Sequence, residues 1–562
     1  MIQQIDYFVI APPLVLALAA GLVLLLDAFL PARPRTIIAE RPGPPLPSGT
    51  GPALPAGTGP ALPARPGTAT GLGLVTVAGI LVALGFVVAQ ALGGGSARST
   101  FCVPPGPAGS GALCSFVADG FTLVFAGMVL VAAVVIVLMS MTELAAGAIP
   151  VGEWYFLLLC TLVGAVTLPA SRDLIMLVVA LELVSLPVFA LTALKRYDGR
   201  SSEAAVKLFV VSVVSTAIML FGVSLLYGIA GSVYLSRLRE VFGGRATDLP
   251  AVVREVFGGQ ATDLPAVVTV GVVLVVAGFA FKIAAVPFHS WAADVYQGAP
   301  VPVAALLSVI SKAAGFAGLI LVLVTALPGQ AGTWAPIVAI VSALTMTAGN
   351  LLAMRQRSAV RLLAWSSVAQ SGYILAPLAV AATAPVTATA PVTATAPGGA
   401  TAPGAVGTSM AYLVIYAAMN LGAFAVVMLV SRAATRNELD DYRGLALRRP
   451  AAGVTLAFCL VCLAGLPPGL AGLFAKVFVF REIVGGGAGW LAVVMAVNTV
   501  IGLYYYAVWT ARLFTPAGRP EPSPYRPPLT AWLAVGLALA AAVLFSVAPQ
   551  LVLDLTSLSA SG

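Results

Sequence analysis

Charge is scarce in this chain. Asp, Glu, Lys and Arg make up 9% of its 562 residues, histidine occurs once, at His289, and only five residues are cysteine. Each shortage excludes something. So few charges cannot clothe a water-soluble fold, the more so with 60% hydrophobic residues and a mean hydropathy of +1.02. A single histidine cannot supply a bis-histidine haem site, and no GxGxxG or Walker A loop is present to hold a nucleotide. Cys459 and Cys462 form a CxxC inside an apolar run without a second pair, which reads as packing residues one helical turn apart rather than a metal or cluster site. Cys102 and Cys114 share one loop and can join as a disulfide in an oxidising compartment. The chain is expected to hold no metal and no cofactor of its own.

What is abundant is apolar sequence in runs long enough to cross roughly 30 Å of hydrocarbon as helices. They lie at 7–30, 71–92, 121–141, 154–170, 172–194, 204–229, 267–288, 301–326, 334–354, 359–382, 408–430, 452–480, 490–514 and 529–551. The expectation is an all-α polytopic membrane protein of about fourteen spans. The first run is too long for a signal-peptide core and follows Asp6 rather than Lys or Arg, so it is read as a retained span. The loops after odd-numbered spans carry most of the basic residues, among them Arg33, Arg35, Lys195, Arg196, Arg355, Arg357, Arg448 and Arg449. By the positive-inside rule those loops, Arg196 and Arg357 included, face the cytoplasm, while both termini and Thr387 face outside, as in a bacterial plasma membrane. The net charge of +8 is then accounted for by anionic lipid, with no nucleic-acid partner.

Three loops contain tandem duplications. "GTGPALPA" occurs twice from Gly49, "REVFGGRATDLPAVV" at Arg239 recurs with one change at Arg254, and "TAPVTA" repeats from Thr383. All read as slippage in permissive loop sequence, with the second copy at Arg254 running into the start of span 7. A deeper repeat is indicated by interrupted spans. Pro287 removes the hydrogen bond to the carbonyl of Ile283 beside Lys282, and "GLPPGLAGLFAK" with Pro467 and Pro468 interrupts span 12 before Lys476. Such breaks in corresponding places of two halves point to an ion path. The chain therefore divides into 1–150, a three-span segment with a Pro-rich loop; 151–328 and 329–515, inverted five-helix repeats made of spans 4–8 and 9–13; and 516–562, a last span.

Against twenty-four arginines there are five lysines, and Lys207, Lys282, Lys312 and Lys476 fall inside spans. A desolvated lysine can release its proton near neutral pH and arginine cannot, so this selection points to titration; snorkelling is a credible alternative for Lys207 alone, one turn into its span, and a poor one for Lys312 near mid-span. Glu182 lies mid-span, ahead of Pro187, which frees the carbonyl of Leu183. Lys207, on the next span, is expected as its counter-ion. In "LLAWSSVAQSGY", Ser366 with Gln370 and Ser367 with Ser371 stand at i, i+4, where they can hold water between the lysines or hydrogen-bond helix to helix, as can Asn420.

The run "FKIAAVPFHSWAADVYQGAPVPVAALLSVISKAAGF", which contains His289, together with "RLLAWSSVAQSGY" and "AGLPPGLAGLFAKVFVF", resembles the antiporter-like subunits of proton-pumping NADH:quinone oxidoreductase, respiratory complex I. "DVYQGAP" is similar to the N-type branch. The resemblance covers about Glu153 to Phe514. It implies that Glu182 and Lys207 form the charge pair of a first half-channel, that Lys282 is its proton-carrying lysine, that Lys312 links to the second half and that Lys476 serves that half. His289, Ser366, Ser367, Gln370 and Asn420 are expected as polar support, Gln370 standing where relatives often have a histidine. It further implies K- and M-type neighbours, protons and water as cargo, and NADH, FMN, iron–sulfur clusters and quinone in other subunits. A cation/proton antiporter subunit would share the charged residues, and a non-pumping scaffold would keep them for assembly.

Overall fold

The computed structural model describes residues 5–29, 66–93, 97–103, 113–145, 147, 149–195, 198–243, 264–381, 404–432, 434, 437–516 and 527–558. Most of the duplicated loop sequence, Arg33, Arg35, Arg196 and Thr387 lie outside them. In chain order come α1 (Ala11–Phe29), α2 (Pro66–Leu92), an antiparallel hairpin of β1 (Arg98–Val103) and β2 (Leu113–Ala118), α3 (Gly120–Leu144), α4 (Val151–Thr167), α5 (Leu174–Ala193), α6 (Gly199–Ala230), α7 (Leu235–Phe242), α8 (Leu264–Lys282), α9 (Trp291–Gly298) and α10 (Val301–Ala326). Then follow α11 (Ala331–Ala353), α12 (Ala359–Leu375), α13 (Ala405–Ser431), α14 (Pro450–Ala464), α15 (Leu470–Gly485), α16 (Gly489–Phe514), α17 (Leu529–Val547) and α18 (Gln550–Leu558).

Eleven helices among the described residues are long and apolar enough to cross a membrane. The other three expected spans are places where the helix is short: α8 stops at Lys282, α12 passes into a 3-10 turn at Ala376–Val380, and α14 stops at Ala464. The all-α polytopic class holds, with one small addition that the apolar pattern did not signal. The β hairpin pairs Cys102 with Cys114 across its register, and the two form a disulfide. The tail of the second copy from Arg254 does begin α8, at Leu264.

Side-chain caps set several entry points. Asp119, Asp173 and Asp198 accept from the backbone amides of Thr122, Met176 and Arg200 at the starts of α3, α5 and α6, satisfying donors that a helix N-terminus leaves free. Asp119 also forms an ion pair with Arg172, tying the start of α3 to the turn before α5. Two helices make the centre. α10 packs against α3, α5, α8 and α13, and α13 against α3, α12, α14, α15 and α17, so both are almost wholly buried. α10 contains a π-helical turn at Leu307–Ser311, immediately before Lys312; such turns recur at functional positions because they displace one residue from the regular ladder.

Candidate functional site

Of the three buried lysines, Lys312 lies within α10, and Lys282 and Lys476 lie beside the two helix breaks. At the first, α8 ends at Lys282 and the chain runs through residues 283–290 before α9 begins. The Lys282 ammonium is 3.3 Å from Glu182 Oε1 on α5, and donates to Ser185 Oγ at 2.6 Å and Ser212 Oγ at 3.1 Å. The same Glu182 oxygen accepts from Thr216 Oγ1 at 2.8 Å. An ammonium with three acceptors and a carboxylate with two donors is the arrangement that makes a buried ion pair tolerable. The break is held by two helices distant in sequence: Ser371 on α12 donates to the Ile283 carbonyl at 2.8 Å, and Thr345 on α11 accepts from the Val286 amide at 3.0 Å. Pro287 frees the carbonyl that Ser371 takes.

Lys312 is 1% exposed. Its ammonium donates to the Ser367 carbonyl and to Ser371 Oγ, the latter at 2.8 Å, and no carboxylate reaches it among the described residues. Ser371 therefore touches both the break beside Lys282 and the ammonium of Lys312. Close by, Asn420 on α13 donates to Ser308 Oγ on α10 at 2.7 Å, and Tyr416 donates to Ser367 Oγ at 2.8 Å.

At the second break, Gly465 caps α14 at φ +82°, a left-handed conformation that a glycine adopts without strain. Pro467 and Pro468 cannot donate back into α14. Lys476, on α15, folds back and donates to the carbonyls of Leu463 at 3.1 Å and Ala464 at 2.8 Å, with its ammonium 5.5 Å from the centre of the Tyr373 ring. Pro467 and Pro468 have no amide to offer these two carbonyls, four residues back, and the lysine occupies them because α15 packs close enough for its chain to reach. That approach requires Gly472, where a Cβ would fall 1.7 Å from the Cys462 carbonyl oxygen. Cys459 and Cys462 are buried packing residues of α14.

A family model described as NADH:quinone oxidoreductase/Mrp antiporter, TM, matches residues 171–392 and 398–502. The chain belongs to the NADH:quinone oxidoreductase/Mrp antiporter family. A relative from Streptomyces griseus named NADH-quinone oxidoreductase subunit N 2 is 44% identical over the whole chain and 94% of its own length. NAD(P)H-quinone oxidoreductase subunit 2 of Trichodesmium erythraeum is 34% identical over 70% of this chain and 69% of its own. Among solved structures, a chain of respiratory complex I from Thermus thermophilus with bound aureothin aligns at 27% identity and TM-score 0.67, covering 98% of this chain and 100% of that one. A chain of the Mrp complex from Dietzia has TM-score 0.73 at 19% identity, covering 98% of this chain and 96% of that one, a likeness of fold alone.

Within this quinone oxidoreductase/Mrp antiporter fold, one expected pair is corrected. Lys207 is not the counter-ion of Glu182: it is exposed and bridges Glu203 at 2.7 Å and Asp294 at 3.1 Å. The residue of α6 that meets Glu182 is Thr216, nine residues further on and so roughly 13 Å along the helix axis. Lys207 instead lines a cavity of about 320 Å³ with Arg200, Glu203, Asp294 and Gln297. Arg361 closes on the same Asp294 at 2.7 Å. Asp294 lies outside the membrane-crossing helices; burial alone would raise its carboxyl, but hydrogen bonds from Arg361 and Lys207 hold it below the usual carboxylate range. His289 stands in the first break, edge-on to Trp365 with ring centroids 5.6 Å apart. Pro187 sits inside a continuous α5. Residues absent from the expected set include Ser185, Ser212, Thr216, Thr345 and Asp294. Ser185 shares a face with Glu182 at i, i+3, and Ser212 with Thr216 at i, i+4, a spacing that would have exposed them.

Proposed function

We propose that this chain is the N-type, proton-translocating membrane-arm subunit of a bacterial NADH:quinone oxidoreductase. The full-length likeness to the Streptomyces griseus subunit carries the reading. The buried polar axis supports it, since three lysines nine-tenths or more buried have no other evident use in an apolar bundle. In this reading Glu182 and Lys282 share or separate their charge, Lys312 passes the change toward the second half, and Lys476, held by its two carbonyls, gains and releases the proton of that half. Ser366, Ser367, Gln370 and Asn420 hold these groups in place. The charge state of each ionisable group biases its neighbour, and lysine serves because it can lose the proton that arginine keeps.

Residues 151–328 and 329–515 are the inverted repeats. NADH, FMN, iron–sulfur clusters and quinone belong to other subunits, and K- and M-type subunits flank this one in the plasma membrane, with both termini outside. Purification of the tagged chain in mild detergent tests the assignment: co-purifying redox subunits with flavin and iron–sulfur absorbance are expected. Recovery with antiporter subunits alone, and no redox absorbance, would overturn it.

A further inference from the structure

Along α12, three residues one turn apart mark a line between two lysines. Ser367 accepts from Lys312, Tyr373 carries Lys476 over its ring, and Gln370 lies midway between them. Gln370 is 2% exposed and both ends of its amide are engaged. The Tyr412 hydroxyl donates to Oε1 at 2.6 Å, and Nε2 donates to the Tyr506 hydroxyl at 3.4 Å. Tyr506 also shares a hydrogen bond with Ser366, and Tyr412 stacks on Tyr373 with ring centroids 6.1 Å apart. The direction of these bonds matters. An amide oxygen only accepts and an amide nitrogen only donates, and neither changes its protonation state near neutral pH. A proton arriving from Tyr412 therefore cannot leave toward Tyr506, whereas a titratable side chain at this point takes a proton on one atom and releases one from another.

Resting on the reading of the lysines as proton carriers, we propose that Gln370, oriented by Tyr412 and Tyr506, is a proton barrier that closes direct passage between Lys312 and Lys476 in this conformation. Gln370 is a positioning residue: it holds two hydroxyls apart in a fixed sense and carries no proton itself. The barrier keeps the two halves from short-circuiting through the middle of the membrane, so that charge moves between them only when the polar axis rearranges.

The test uses the assembled complex in proteoliposomes and two readouts: decay of an imposed pH gradient without NADH, and protons pumped per quinone with NADH. Gln370→His and the isosteric Gln370→Glu are expected to speed the passive decay several-fold, while Gln370→Leu, which disturbs the tyrosines without adding a titratable group, leaves it at the wild-type rate. Adding Lys312→Met to either leaking variant should restore the wild-type rate. Should Gln370→His fail to assemble, Gln370→Glu carries the test. Wild-type decay in the titratable variants, an equal leak in Gln370→Leu, or a leak that survives Lys312→Met would each overturn the barrier. Unchanged pumping by Lys312→Met alone would instead overturn the role given to Lys312, whatever the leak.

Discussion

The two helix breaks solve one problem in different ways. At the first, Lys282 has a carboxylate partner, and the broken backbone is bonded by Thr345 and Ser371 from helices distant in sequence. At the second, Lys476 has no carboxylate among the described residues and is held by the carbonyls of its own broken helix, Leu463 and Ala464, while Ser546 of α17 accepts from the Ala471 amide. The first break is thus coupled to a distant part of the chain through charge and hydrogen bonds, and the second is largely self-contained. A change at Glu182 has a direct route to Lys282; among the described residues no carboxylate is placed to pull Lys476 off its carbonyls.

The largest expected effect follows from that contrast. Lys282→Met leaves Glu182 without its counter-charge, which in a fully buried pair costs about 3–5 kcal/mol and here less, since a quarter of the Glu182 side chain is accessible. Thermal denaturation of the detergent-solubilised complex should show this subunit destabilised, and adding Glu182→Gln should recover most of the loss. If the double variant is no more stable than the single, the pair is not what holds Lys282. Lys282→Arg should keep stability and lose proton pumping, because charge is retained and release is not; normal pumping by the arginine variant would remove titration from the account.

Next comes Lys476→Met. Here only two carbonyls lose a donor, a penalty of about 1–3 kcal/mol that water or repacking can reduce. The expected result is milder destabilisation than Lys282→Met with an equally complete loss of pumping. Equal destabilisation would mean that the second lysine has a counter-ion too, and the asymmetry between the breaks would be gone. A smaller effect belongs to Thr345→Val, which removes one hydrogen bond to the Val286 amide, worth about 1 kcal/mol. It should loosen the first break alone, seen as faster amide exchange around Val286 with none around Leu463.

How much of this was legible in the sequence follows from the same chemistry. Pro287, Pro467 and Pro468 announce the breaks, and backbone geometry names the carbonyls each proline frees, so Ile283, Leu463 and Ala464 could be identified beforehand. What fills them could not. Ser371 reaches Ile283 from a helix distant in sequence, and Lys476 reaches Leu463 because Gly472 lets α15 approach α14. The counter-ion of Glu182 was misassigned for a related reason: Lys207 is nearer in sequence, but helix rise places Thr216 opposite Glu182 and leaves Lys207 with Glu203 and Asp294. Long apolar runs located the helices well, since burial in lipid and in protein both demand apolar side chains. It was silent about the short hairpin, whose strands carry no comparable run.

The smallest effect concerns Asp294 of the short helix α9, which joins Lys207 of α6 to Arg361 of α12. Its carboxyl titrates below the usual carboxylate range when folded, held there by Arg361 and Lys207 against the opposing effect of burial. A group whose folded value is depressed stabilises the fold above its unfolded value, and that contribution is lost as pH falls through the folded value. The unfolded carboxylate titrates near about 3.9, so the contribution is complete at neutral pH and fades only in acid. Partial exposure of the aspartate, with 41% of its side chain accessible, screens the pair and keeps the effect small. Asp294→Asn should therefore lower thermal stability slightly at pH 7 and converge on wild type only as the pH falls below the usual carboxylate range. A difference that grows toward acid would reverse the sign of the argument, and no difference at pH 7 would show that Lys207 and Arg361 are held equally well by Glu203 and Gln297 alone.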